Sequence, residues 1–217
     1  YVFRNDTMSG DRYDPITDTY SDAPKSKETT KGIWASGPLI EDKLFIYALA
    51  ENFESSRSSP DFGAIGSGLG TTVGITQSAI DSARSIAQSA YGVDIGSTAV
   101  PSGSRLTSKE RMVKFDWNIS DDHRANLRYA KTEQGEPFYP NFGNDRLSLS
   151  SSFYNQGKSI ETVVAQLFSD WTPNFSTELK FSTRDYDSVP SNATRTPAMS
   201  LQFTGALPQG APSGTSD

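Results

Sequence analysis

The fold turns on three consecutive segments: Lys109-Glu-Arg-Met-Val-Lys-Phe-Asp-Trp-Asn118, then Ile119-Ser-Asp-Asp-His123, then Arg124-Ala-Asn-Leu-Arg-Tyr-Ala-Lys-Thr-Glu-Gln134. In the first, Val113, Phe115 and Trp117 fall on one side, and Lys114, Asp116 and Asn118 on the other. In the last, Ala125, Leu127 and Tyr129 oppose Asn126, Arg128 and Ala130. A period of two residues is the signature of a strand with one apolar side. The polar segment between them is a tight turn, so the pair reads as a hairpin.

Working outward, the same alternation recurs at 161–171, where Val163, Ala165, Leu167 and Trp171 oppose Val164, Gln166, Phe168 and Asp170. At 175–187, Phe175, Leu179 and Phe181 oppose Ser176, Glu178, Lys180 and Arg184. Residues 44–54 are apolar on both sides at first, and 33–39 form a shorter strand ending near Gly37 and Pro38. Three connections are short (40–43, 119–123 and 172–174), whereas 4–31, 55–108, 135–159 and 188–217 are long and rich in Ser, Gly, Asp and Pro. Short and long connections alternate strictly.

An antiparallel meander of this kind has two unlike ends. Five of the six strands run 10 to 13 residues, close to the ~9–11 that a tilted strand needs to cross a bilayer. Strands of soluble sandwiches more often have ~5–6. One apolar and one charged side suit lipid outside and a wet lumen inside. The expected fold is therefore all-β: about six long strands in three hairpins, forming part of a transmembrane barrel wall. Lys114, Asp116, Arg128, Asp170, Glu178, Lys180 and Arg184 are the expected lumen-facing charges. Trp117, Trp171 and Phe175 sit beside the short turns, where an interfacial aromatic girdle belongs.

Composition agrees. The 217 residues are 35% hydrophobic, with 12 Phe, 9 Tyr and 3 Trp. That is thin for a large dry core, yet too aromatic for a disordered chain. With no Cys and a single His, His123, thiolate sites, His clusters and most His-based triads are unavailable. A formal charge of −6 argues against nucleic acid as a partner. No uncharged run is apolar enough for a spanning helix. The chain opens at Tyr1, inside what reads as a strand end, and so reads as a piece of a longer protein.

The 55–108 connection holds one expected helix. Ala79, Ile80, Ala83, Ile86, Ala87 and Tyr91 recur at helical spacing, with Thr76 as N-cap and Gly92 as a left-handed stop. Gly66-Ser-Gly-Leu-Gly70 has the wrong spacing for a dinucleotide loop and no following Lys, so it reads as a flexible loop. Asp11, Asp14, Asp18 and Asp22 lack the pattern of a Ca²⁺ loop and read as solvated acids. Beside Asp121 and Asp122, His123 reads as a turn residue. No nucleophile–base pair, metal set or cofactor motif emerges, so an enzyme is not expected.

Three stretches carry a family resemblance. Gly37-Pro-Leu-Ile-Glu-Asp-Lys-Leu-Phe45 resembles the G-G-P-I-I-K-D-K-L-F hairpin of TonB-dependent outer-membrane receptors of the Oar-like branch, with Ser36 for the first Gly and Glu41 for the Lys. Lys114-Phe-Asp-Trp-Asn-Ile-Ser-Asp-Asp-His-Arg124 and Gln166-Leu-Phe-Ser-Asp-Trp-Thr-Pro-Asn-Phe-Ser-Thr-Glu178 resemble that branch's next two periplasmic hairpins. The resemblance implies a barrel of about 22 strands plugged by an N-terminal domain. It also implies uptake of a scarce or large solute, driven through TonB, at the bacterial outer membrane. The bilayer, the rest of the barrel, the plug, TonB and an extracellular ligand are then the partners. None of the coupling parts lies within these residues.

On this reading the long loops capture ligand, with Phe62, Tyr91, Phe138, Tyr139 and Phe142 as candidate contacts. Two alternatives remain: an adhesin barrel that displays loops, and a soluble carbohydrate-binding sandwich using Trp34, Trp117 and Trp171 as stacking platforms.

Overall fold

The computed structural model of the chain describes residues 1–194 except 9, 16–17, 22–25, 57–58 and 102. Asp22 of the acidic run, and the 195–217 part of the last expected loop, lie outside the described residues. The chain divides into two compact units. The first comprises Tyr1–Arg57, Arg105–Glu136 and Gln156–Val189; the second comprises Ser58–Ser104, Pro137–Asn155 and the described residues from Pro190 onward.

The strands in chain order are β1 (Val2–Asn5), β2 (Arg12–Asp14), β3 (Thr19–Ser21), β4 (Lys27–Ile40), β5 (Leu44–Ser56), β6 (Phe62–Ile65), β7 (Thr71–Thr76), β8 (Arg105–Asn118), β9 (His123–Phe138), β10 (Tyr154–Thr172) and β11 (Phe175–Asn192); helix α1 is Gln77–Tyr91. The first unit is built on one antiparallel sheet in the order β1-β4-β5-β8-β9-β10-β11. Its six long strands are the three expected hairpins in chain order, and short β1 adds a seventh by pairing Val2–Asn5 with Thr30–Lys27. The sheet does not close into a barrel.

The strands are longer than the apolar alternation suggested. β4 starts at Lys27 rather than 33, β10 runs for 19 residues, and β11 reaches Asn192 rather than 187. The added segments, such as Lys-Glu-Thr-Thr-Lys-Gly at 27–32, are polar. They are held by ladder hydrogen bonds to neighbours rather than by burial of one face. Parts of all four expected long loops are therefore strand.

The tight turns are tied to one another. Asp42 adopts φ 58° in the first, and the ladder shifts between Pro38 and Ile40, beside a Pro that has no N–H to donate. Asn118 links this turn to its neighbour, its N–H donating to the Lys43 carbonyl (2.7 Å) and its side-chain amide to the Asp42 carbonyl (3.1 Å). The Asp170 N–H reaches the Asp122 carbonyl of the second turn (2.9 Å).

The sheet has almost no core: Ser55, Val164 and Ser169 are its buried side chains among the described residues. Among the described residues, both edges are open over much of their length. β1 covers only the Lys27–Thr30 end of β4, and β11 is exposed at all 18 positions. Soluble proteins avoid long open edges of this kind because they invite pairing with other chains.

The second unit has a core of its own. β6 pairs with β7 in parallel, although only residues 66–70 connect them. Parallel neighbours normally need a crossover of a dozen residues or more; here Gly66 (φ 80°) and Gly68 (φ 76°) allow the chain to reverse twice. The Gly-rich stretch is thus a defined crossover rather than a flexible loop. α1 follows β7 directly and has the expected caps: Thr76 Oγ1 accepts from the Ala79 N–H (3.2 Å), and Gly92 (φ 66°) closes the helix with its N–H on the Gln88 carbonyl. Ile80 and Ala87 are buried with Ala64, Val73, Ile95 and Phe153.

Candidate functional site

The register of the ladders sorts the side chains of β4, β5, β8 and β9 into two faces. Ala35, Ala48, Val113 and Tyr129 form one lateral row, and Gly37, Ile46, Phe115 and Leu127 the next. Leu44, Trp117 and Ala125 continue that face toward the tight turns. On β10 and β11 it continues through Leu167, Leu179 and Phe181, which line a shallow apolar trough of about 640 Å³ with Phe115, Trp117 and Leu127. Much of this face is not packed away: Leu179 is 67% exposed, Phe181 63%, Trp171 58% and Phe175 57%.

The height of this apolar band varies. On β10 it lies between Glu161 and Trp171, ten residues or about 33 Å along the strand. On β8 it is narrower, between Arg111 and the turn after Trp117.

The three aromatics expected beside the turns lie on the apolar face at its tight-turn end. Trp117 is 51% exposed on the apolar face. Trp171 donates its indole N–H to Thr177 Oγ1 (2.8 Å), which places it on the same side of β11 as Phe175. The His123 ring lies 5.1 Å from that indole, so His123 is the first residue of β9 and packs on an aromatic partner. Trp34 is on the opposite face: it is paired with Leu49 and stacked on Tyr47, 6.3 Å between centroids. The three tryptophans therefore do not share one face.

The opposite face carries the expected charges. Lys114 binds Asp116 at 2.7 Å along the same strand and lies directly across from Arg128. Gln166 donates to Glu178 (3.0 Å), and Arg124 lies over the Phe168 ring at 5.3 Å. Asp170, Lys180 and Arg184 are exposed. Exposed pairs of this type contribute little, about 0–1 kcal/mol each, so they set the polarity of the face rather than its stability.

The aromatic residues expected to capture ligand are partly brought together, within the second unit. Phe62 stacks on Phe142 at 5.9 Å; Phe142 and Tyr139 both contact Phe153, at 6.0 and 5.0 Å. The Tyr139 hydroxyl bonds to that of Ser104. Phe138 stacks on Tyr154 at 5.2 Å, and Tyr91 lies at the end of α1, 77% exposed. Phe153, which sequence reasoning passed over, is the hub: it is 3% exposed and lies just beyond a Ser-rich run that hides it. In the intervening turn, Arg146 (3.0 Å from Asp145) holds the Asp145 carboxyl below the usual carboxylate range.

A second feature missed from sequence lies on the apolar face, just past its last apolar row. Arg111 and Lys131 face each other across β8 and β9, and Lys109 faces Glu133 one row further. The signal was present: the period-two series Trp117, Phe115, Val113 continues through Arg111 and Lys109 on the same side. No known protein family, curated protein or solved structure matches this chain.

Proposed function

We propose that the chain is a wall segment of a TonB-dependent outer-membrane receptor. Its sheet faces lipid on one side and the lumen on the other, and its long connections capture the transported ligand. The observation that supports this best is a continuous apolar face across five strands, exposed and edged by Trp117, Trp171 and Phe175 beside tight turns. Burying that much apolar surface in water requires a second layer, and lipid supplies one without it. The open edges of β4 and β11 fit a wall that continues into further strands. The clustered Phe62, Phe142 and Tyr139 fit a connection shaped to hold a ligand, rather than a tail.

Deleting Ser59–Ser104 in the receptor that carries this segment is expected to abolish ligand uptake while the protein remains in the outer membrane. Unchanged uptake would remove the connections from the function. The separate core of the second unit also suits a surface-display barrel. Lost cell attachment with normal uptake in the same deletion would favour that reading.

A further inference from the structure

The apolar face ends in a group of cations that a lipid-facing wall does not itself require. Lys31 and Lys109 lie on either side of Asn52 in one lateral row across β4, β5 and β8, each about 4.8 Å from it in backbone spacing. Arg111 sits one row below on β8, next to the apolar rows. Its guanidinium bends toward the same point, donating to Asn52 Oδ1 (3.3 Å) and to the carbonyls of Glu51 (3.0 Å) and Glu110 (2.8 Å). Lys31, Asn52, Lys109 and Arg111 are all exposed.

The carboxylates on this face of β5, β9 and β10 are already engaged. Glu54, one row above, binds Arg105 at 2.9 Å, and Glu133 and Glu161 share Lys131 at 3.5 and 3.6 Å. Among the described residues, Lys31, Lys109 and Arg111 make no ion pair. In a chain of net charge −6, three cations without an ion pair around one amide form a place for an anion, although Glu133 lies across the strands from Lys109. Below them, Phe115 of the apolar trough lies about 13 Å along β8 from Arg111, within reach of an acyl chain whose head is held above.

We propose that Lys31, Asn52, Lys109 and Arg111 bind the phosphate headgroup of an anionic membrane lipid whose chains lie on the apolar face. The proposal rests on that face being the lipid-facing one. A guanidinium and two ammonium groups suit phosphate oxygens, and juxtamembrane cations each add to the attraction of an anionic lipid.

The test reconstitutes the receptor that carries this segment into vesicles of phosphatidylcholine and phosphatidylglycerol in equal amounts. The two lipids that stay with the protein after mild detergent extraction are then measured by mass spectrometry. The expected result is a roughly tenfold enrichment of phosphatidylglycerol. It should fall to near parity in the Lys31→Gln, Lys109→Gln, Arg111→Gln triple variant and persist in a Lys114→Gln, Arg128→Gln, Arg184→Gln variant that removes as much charge from the other face. Inorganic phosphate should displace the lipid no better than chloride at equal ionic strength. Insertion without enrichment, or equal loss in both variants, overturns the site and leaves the wall reading standing. Specific displacement by inorganic phosphate shows a free-anion site and also overturns it. Failure to insert into vesicles of either lipid overturns both readings.

Discussion

The two units of the chain solve the problem of apolar surface in opposite ways. The second unit hides Ile95, Phe153, Ile80 and Val73, leaving each no more than 5% exposed. The first leaves Leu179, Phe181, Trp171 and Phe175 more than half exposed, on a sheet with hardly a buried side chain. Both are rich in aromatics, so composition does not separate them. What separates them is where the apolar side chains end up: packed on one another in the second unit, and left exposed on one face of the sheet in the first. The same substitution should therefore have different consequences in the two places.

The largest effect is expected at the hub of the second unit. Phe153→Ala removes the ring that Tyr139 and Phe142 both contact, and should cost about 3–5 kcal/mol of that unit's stability. Hydrogen exchange read by segment should show protection lost in 62–104 and 138–155, with the tight-turn hairpins retained. Loss of protection throughout would mean that the units do not fold separately.

Next comes the exposed face of the sheet. Phe181→Arg changes a side chain that is 63% exposed, and in water such a change is worth only about ±0.5 kcal/mol. In a bilayer, an Arg on the lipid face near mid-depth should cost about 2–4 kcal/mol. Refolding titrations into vesicles distinguish the two values. A smaller effect is expected at the start of α1. Thr76→Ala removes the Oγ1 acceptor of the Ala79 N–H and should cost the helix about 1 kcal/mol, visible as lower helical circular dichroism on heating. The smallest is on the charged face: Asp116→Asn breaks the 2.7 Å pair with Lys114 and should change stability by no more than about 1 kcal/mol. A larger cost there would mean that this face is drier than a lumen.

Legibility from sequence followed the same division. The hairpins around 119–123 and 172–174 were readable because apolar alternation persists up to each turn. α1 was readable because its Ala and Ile spacing is bounded by Thr76 and Gly92. The polar ends of the strands were not: Lys27–Gly32 and the Ser188–Asn192 end of β11 carry no apolar period, and only pairing with a neighbour makes them strands. The parallel β6–β7 pair was hidden for a different reason. A crossover of five residues is too short for the usual rule, and only the left-handed backbone at Gly66 and Gly68 permits it. Phe153 gave no signal, because its importance comes from rings that lie elsewhere in the chain. The cations at Lys109 and Arg111 were legible in principle, since they prolong the same alternating series as Val113, Phe115 and Trp117.

The most direct test uses the three tryptophans, which the structure divides between the faces. Variants of the receptor that carries this segment, each keeping Trp117, Trp171 or Trp34 as its single tryptophan, are reconstituted in vesicles whose lipids carry bromine on the acyl chains. Bromine quenches indole fluorescence only on contact. Strong quenching of Trp117 and Trp171 with little quenching of Trp34 is the expected result. Equal quenching of all three, or quenching of Trp34 alone, would contradict the assignment of the apolar face to lipid.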